Sequence, residues 1–304
     1  PGEPGSETWK DKNNAWRTGG GAMWVTGTYD VATNQTIWGS GNPVPMFDPT
    51  YRPGDNLFTN SIISWNPDNG DMNWYFQYLP GDSWDYDEVG SHIIIDAEVH
   101  NRKRRFLTHS ARNGHVYTMD SVSSQIHLAK PYTYVNWTKG IDQKTGKPVD
   151  YDPTRDVQIY AEDVRANDDK FRRRVCPDVA GGNNYWPATY SRRTGLLYIP
   201  SLEGCSDVVP DYSAHVPGKF AGGSTIFADR ITSTIVQMDP TTGEKKKARE
   251  FNYPNFAGTL STQGGLLFTA LLDGTIVALD DQTLDELWKV NVGVGFNAPP
   301  MTFS

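Results

Sequence analysis

Cysteine is almost missing from this chain: Cys176 and Cys205 are the only two in 304 residues. They flank an Asn-rich turn and a strand-like run and do not form a C-x-x-C pair, which argues against a zinc knuckle. Two readings stay open, a disulfide closing that loop or two buried free thiols; the disulfide is preferred and would imply an oxidising compartment. No C-x-x-C-H sequence occurs, so haem attachment within these residues is excluded. Apolar runs are short, and none approaches the roughly 18 residues that a membrane span needs. Positive charge is scarce as well. The net charge is −8, and the two basic clusters, "NRKRR" (Asn101 to Arg105) and "EKKKAR" (Glu244 to Arg249), read as solvated hairpin tips, so nucleic acid is not an expected partner. The six His residues are scattered without ligand spacing and receive no role. The chain opens on "PGEPGSETWKDKNNAW", with no Met and no targeting segment, and stops in "GFNAPPMTFS". It is expected to be part of a longer protein.

Helix-forming stretches of Ala, Leu, Glu and Lys are also few, whereas Gly (29), Pro (20) and aromatic residues are plentiful, a balance that favours strands joined by tight turns. The expected class is all-β. A scheme recurs in "WNPDNGDMNW" (Trp65 to Trp74), "MDPTTGEKKK" (Met238 to Lys247) and "LDDQTLDELW" (Leu279 to Trp288), more loosely in "YTMDSVSSQIHLAK" (Tyr117 to Lys130): a strand ends on an acidic or amide residue, turns, and restarts about eight residues later. Asp239 and Asp280 recur about 41 residues apart, the length of one four-stranded propeller blade. "GLLFTALLDGTIVALD" (Gly265 to Asp280) reads as a hairpin on an Asp-Gly turn. The expected architecture is a partial β-propeller over residues 1–304.

The segment "GDSWDYDEVG" (Gly81 to Gly90) sets Asp85 and Asp87 two residues apart behind a tryptophan. A single carboxylate on such a loop is ordinarily a solvated turn residue. Here, however, Asn42 lies upstream in the Gly- and Pro-rich run "WGSGNPVPMFDPTYRPGDN" and offers a neutral carbonyl. Asn42, Asp85 and Asp87 make an oxygen-only set that suits a calcium-like cation and not zinc.

The runs "GGGAMWVTGTYDVATNQTIWGSGNP", "RPGDN", "WDYD", "THSARNGHVYTMD", "AGGNNYWPATYSRRTGLLYIP" and "GGLLFTALLDGTIVALDDQTLDELW" occur in that order. Together they resemble the C-terminal half of the quinoprotein alcohol dehydrogenases, periplasmic enzymes that hold pyrroloquinoline quinone (PQQ) on an eight-bladed propeller. The resemblance implies that Trp24 stacks on the quinone, that Arg112 in "ARNG" approaches the quinone oxygens, and that Asn184 in "GGNNYW" bonds the cofactor edge. It also implies that Phe256 in "NFAGT" lines the pocket where many members carry Trp. Asn42 matches the family's amide metal ligand and Asp85 its catalytic carboxylate, the general base for an alcohol. Asp87 resembles the additional carboxylate of the lanthanide-dependent branch, so a lanthanide ion is expected ahead of Ca2+. Cys176 and Cys205 align with a structural disulfide of some members. The implied partners are a small alcohol and a cytochrome c, with a homodimer left open. The family's glutamate metal ligand and vicinal cysteine pair belong to N-terminal blades outside these residues. A non-catalytic propeller scaffold and a sugar-oxidising quinoprotein are the competing expectations.

Overall fold

The computed structural model describes residues 2–10, 12–17, 19–161, 173–211, 220–227 and 230–303. Four sheets of four antiparallel strands follow one another along the chain. The first contains β1 (Thr28–Asp30), β2 (Gln35–Gly39), β3 (Ser61–Trp65) and β4 (Met72–Gln77); the second contains β5 (His92–Val99), β6 (Arg102–Ser110), β7 (His115–Asp120) and β8 (Ile126–Pro131). An excursion follows: β9 (Arg173–Val175), β12 (Ser206–Pro210) and β13 (Gly223–Phe227) form a separate three-stranded sheet. The third large sheet is built around that excursion from β10 (Thr189–Ser191), β11 (Leu196–Glu203), β14 (Thr232–Met238) and β15 (Lys245–Phe251). The fourth is β16 (Thr259–Ser261), β17 (Leu266–Ala270), β18 (Thr275–Asp280) and β19 (Glu286–Asn291). The only helices among the described residues are two short 3-10 turns, Ser6–Thr8 and Ala15–Arg17. The all-β expectation is met.

The recurrent turn of the sequence joins the third and fourth strands of every large sheet. Asp120, Asp239 and Asp280 each accept two backbone N–H groups through Oδ1, from Val122 and Ser123, Thr241 and Thr242, and Gln282 and Thr283 respectively. Asn66 accepts from Asp68 in the same way. A carboxylate or amide at this position therefore replaces the ladder bonds that the turning backbone gives up. A register shift precedes each turn, at Ser64/Trp65, Thr118/Met119, Gln237/Met238 and Ala278/Leu279.

Apolar residues from facing sheets interlock. Val116, Leu197, Ile199 and Val236 pack the second sheet against the third, and Tyr198, Ile235, Leu267 and Leu279 the third against the fourth. A larger cluster including Ile37, Ile62, Phe76, Leu107 and Tyr117 joins the first two sheets. These are blades stacked face to face, each contributing alternate residues to the seams.

The two basic clusters divide. "NRKRR" turns at His100 and Asn101, both at positive φ (51° and 60°), and its Arg102 to Arg104 are exposed, as expected of a hairpin tip. "EKKKAR" instead runs along the outer strand β15, where Lys245 to Lys247 need no turn to reach water. Cys176 and Cys205 form a disulfide with Cα atoms 4.5 Å apart, pinning the excursion to the end of β11.

Candidate functional site

The stretch from Asp82 to Gly90 connects β4 to β5 and crosses from the first sheet to the second. Trp84 and Tyr86 are buried, and Asp85 between them adopts a left-handed backbone with φ 66°. Its carboxylate is 21% exposed while that of Asp87 is 7% exposed. Arg112 closes on both from the tight turn between β6 and β7. One terminal nitrogen of Arg112 donates to Asp85 Oδ2 at 2.9 Å, and the other lies 3.1 Å from Asp87 Oδ1. The guanidinium also donates to the carbonyl of Val179, from Nε at 3.1 Å and from a terminal nitrogen at 2.7 Å. Gly181 is required here, because a Cβ would collide with Arg112 Cγ.

Trp24 completes the wall. Its indole N–H donates to Asp87 Oδ2 at 2.7 Å, while the ring stays half-exposed. Gly41 leaves room for the same carboxylate, since a Cβ there would lie 2.7 Å from Asp87 Oδ2. Asn42 follows directly, buried, with Nδ2 donating to the Pro43 carbonyl at 3.0 Å. The loop is registered against the carboxylate stretch by a Glu88 N–H to Ser40 carbonyl bond of 3.1 Å.

Burial is the largest influence on Asp85 and raises its pKa to about 7; Arg112 opposes this, while Asp87 and Asp82 add to it by repulsion. At neutral pH such a carboxyl is divided between its acid and base forms, the condition that favours proton transfer. Behind it, Glu88 is fully buried: Oε2 accepts the Arg112 backbone N–H at 3.1 Å and lies 3.0 Å from His109 Nε2. The His109 ring stacks on His92 at 3.9 Å.

Direct contacts therefore gather Trp24, Asp85, Asp87 and Arg112, with Asn42 on the adjoining loop. Asn184 borders the same region: its carbonyl lies against Gly90, its Nδ2 donates to the Ala180 carbonyl at 2.8 Å, and its buried Oδ1 has no hydrogen-bond partner. Phe256 stands further off. It packs edge-on against Trp186 at 5.1 Å, Trp186 against Tyr185 at 5.0 Å, and Tyr185 against Trp24 at 6.2 Å, so it reaches the wall through an aromatic chain.

The donors present suit the expected ligands. Asn42, Asp85 and Asp87 offer hard oxygen atoms, although among the described residues no three His, Cys, Asp or Glu side chains form a metal-holding cluster on their own. A half-exposed indole, a buried guanidinium and an orphaned amide oxygen suit a flat, polar cofactor. Nothing in the sequence alone singles out Arg52, Glu88 or His109. For Asp82 a local signal existed, an Asp two and four residues before the amides it holds.

Residues 1–125 match the family described as "Glucose/ethanol/alcohol dehydrogenase, beta-propeller domain". The chain is 31% identical over 312 residues to a lanthanide-dependent methanol dehydrogenase of Methylacidiphilum fumariolicum, covering 100% of this chain and 49% of that protein. With the quinoprotein alcohol dehydrogenase PedH of Pseudomonas putida it shares 33% identity over 308 residues, 99% of this chain and 50% of PedH. Among solved structures, a europium-containing methanol dehydrogenase superposes with a TM-score of 0.88 at 30% identity, over 98% of this chain and 51% of that one. The chain spans about half the length of the curated relatives it matches.

Proposed function

We propose that this chain, a homologue of the PQQ-dependent alcohol and methanol dehydrogenases over nearly its whole length, forms the substrate-facing part of a quinoprotein that oxidises a primary alcohol to an aldehyde. The observation that carries the reading is the wall in which Asp85 and Asp87 bracket the Arg112 guanidinium while Trp24 holds Asp87 from its indole N–H.

Asp85 serves as the base. Its carboxylate is raised to about 7 chiefly by burial, so at neutral pH it can take the hydroxyl proton of a bound alcohol. Arg112, anchored on the Val179 carbonyl, keeps that carboxylate aimed and presents positive charge where negative charge develops. Trp24 would offer its ring face as a stacking platform for the cofactor, and the orphaned Oδ1 of Asn184 would accept a hydrogen bond from it. Asn42, Asp85 and Asp87 would hold the metal ion. PQQ and its ion, when bound, supply the hydride acceptor and its Lewis acid. Buried aromatic residues below the wall, Trp84, Tyr86 and Trp137, exclude water from that side.

Asp87 favours a lanthanide over Ca2+, because a trivalent ion gains more from an additional anionic oxygen. The disulfide supports an oxidising compartment, read as the periplasm, with a cytochrome c as electron acceptor. The test is dye-linked alcohol oxidation by the full-length protein reconstituted with PQQ and either La3+ or Ca2+. Turnover that requires La3+ and is lost in Asp87→Ala is expected. Activity with Ca2+ alone would keep the enzyme and remove the role of Asp87; no PQQ binding with either ion would favour the non-catalytic scaffold.

A further inference from the structure

Asp85 is held in a left-handed conformation that residues other than glycine adopt uncommonly, and such a conformation persists only where the surroundings over-determine it. The surroundings here centre on Asp82, whose side chain is completely buried. Its Oδ1 accepts the Trp84 N–H at 2.9 Å and its Oδ2 accepts the Tyr86 N–H at 3.0 Å. These are the amides on either side of Asp85. Asn60 doubles the hold: its Nδ2 donates to Asp82 Oδ2 at 3.2 Å and to the Tyr86 carbonyl at 2.6 Å.

Asp82 is fixed in turn. Arg52, fully buried, donates to the Asp82 carbonyl at 2.5 Å and, in the loop that carries Asn42, to the carbonyls of Pro45 and Met46, each at 2.9 Å. A fourth bond, 2.9 Å to Asn56 Oδ1, occupies the other terminal nitrogen of the guanidinium. The Arg52 and Asp82 pair thus ties together the two loops that present Asn42 and Asp85. We infer that Asp82 is a positioning residue for Asp85, setting by its two carboxylate oxygens the backbone turn that aims the Asp85 carboxylate at Arg112. The inference rests on the reading of Asp85 as the base.

A carboxylate that holds the backbone amides of residues i+2 and i+4 fixes the backbone of residue i+3 between them, and with it the direction in which that residue's Cα–Cβ bond leaves the chain, because turning that backbone breaks a buried hydrogen bond. Asp82→Asn keeps size and shape but exchanges one acceptor for a donor, which faces an N–H it cannot bond.

The test uses the full-length PQQ-loaded enzyme and three variants, Asp82→Asn, Asp85→Ala and the double variant. Asp82→Asn is expected to lower kcat by about 10- to 100-fold with KM little changed, the scale on which a small misplacement of a catalytic group acts. In the Asp85→Ala background the same substitution should add less than about a threefold loss, since the two act through one carboxylate. A crystal structure of Asp82→Asn should show Asp85 withdrawn from Arg112. An Asp85 to Arg112 contact that survives in that structure, or a loss of the same factor with and without Asp85, overturns the inference. If Asp85→Ala is as active as the parent, the base assignment fails, while the crystal structure still decides whether Asp82 sets the turn. Should Asp82→Asn not fold, Asn60→Ser, which releases both Asp82 Oδ2 and the Tyr86 carbonyl, gives the same readings.

Discussion

The last sheet and the Asp82 to Gly90 stretch hold their backbones by opposite means. In the sheet, β16 to β19 pair in chain order, and the turn between β18 and β19 is closed by Asp280 on its own following residues. Its seam residues Leu267, Val277 and Leu279 alternate along the strands as the pleat requires. The stretch before β5 has no such ladder. It is fixed by Arg52 and Asn60 from upstream, by Arg112 from the next blade, and by the Tyr86 hydroxyl donating to the Pro177 carbonyl at 2.6 Å. A blade is thus a local object repeated, whereas the site is a junction made of distant polar groups. Stability and function should separate accordingly under mutation.

The widest separation is expected at Asp85. Asp85→Ala removes a carboxylate that burial disfavours in its charged form, so its cost to folding should be small. Its cost to turnover should be about 10²- to 10⁴-fold, the range over which a positioned base contributes. Steady-state kinetics of the full-length holoenzyme and its thermal midpoint, measured side by side, check this; a drop in midpoint with turnover retained would reverse the contrast.

Leu279→Ala asks the converse question. The side chain is fully buried in the seam between the third and fourth sheets, and truncation of such a leucine costs about 2–5 kcal/mol. Denaturant unfolding of the full-length protein should register that loss while kcat of the folded fraction stays near the parent value. A fall in kcat without a fall in stability would mean that the fourth sheet communicates with the site.

The same contrast explains what could be read from the sequence. The turn aspartates, the Asp-Gly hairpin after Ala270 and the blade period all depend on neighbours within a few residues, and the structure has each where the pattern put it. Asn42, Asp85 and Asp87 stand out by residue type and spacing as an oxygen-donor set, Trp24, Arg112 and Asn184 only through family resemblance, and all six border one region. Their bonds to one another could not be deduced from spacing, because Trp24 reaches Asp87 across 63 residues. Composition left the cysteines open between thiols and a disulfide, and the disulfide is what forms. Arg52, Asp82 and the pair of Glu88 with His109 escaped notice because a buried charge looks like any surface charge until its partners converge. Phe256, placed at the pocket by the resemblance, joins the aromatic chain that runs through Trp186 and Tyr185 to Trp24.

His115 lies between the two regimes, a polar group enclosed at the start of the regular strand β7. Its Nδ1 has no hydrogen-bond partner and its ring meets Trp137 edge-on at 6.1 Å. Burial lowers its pKa to about 4 from an ordinary value near 6.5, with Lys245 adding to the effect and a contact with the Asn113 backbone opposing it. Above about pH 6.5 the ring is neutral both folded and unfolded and contributes no pH dependence. Between that value and about 4 the unfolded chain takes up a proton that the folded chain refuses, so stability falls as pH falls, by up to about 1.4 kcal/mol per pH unit for one such group. His92, also lowered by burial, adds its own share to the acid-side slope. Replacing His115 by Leu in the full-length protein should therefore leave the neutral-pH slope unchanged and remove about 1.5 kcal/mol of the decline between pH 6.5 and 5. Unfolding free energies measured across that range for parent and variant decide the matter: parallel curves would show that the ring is protonated equally in both states, and that a polar group inside a blade behaves as the solvated ones do.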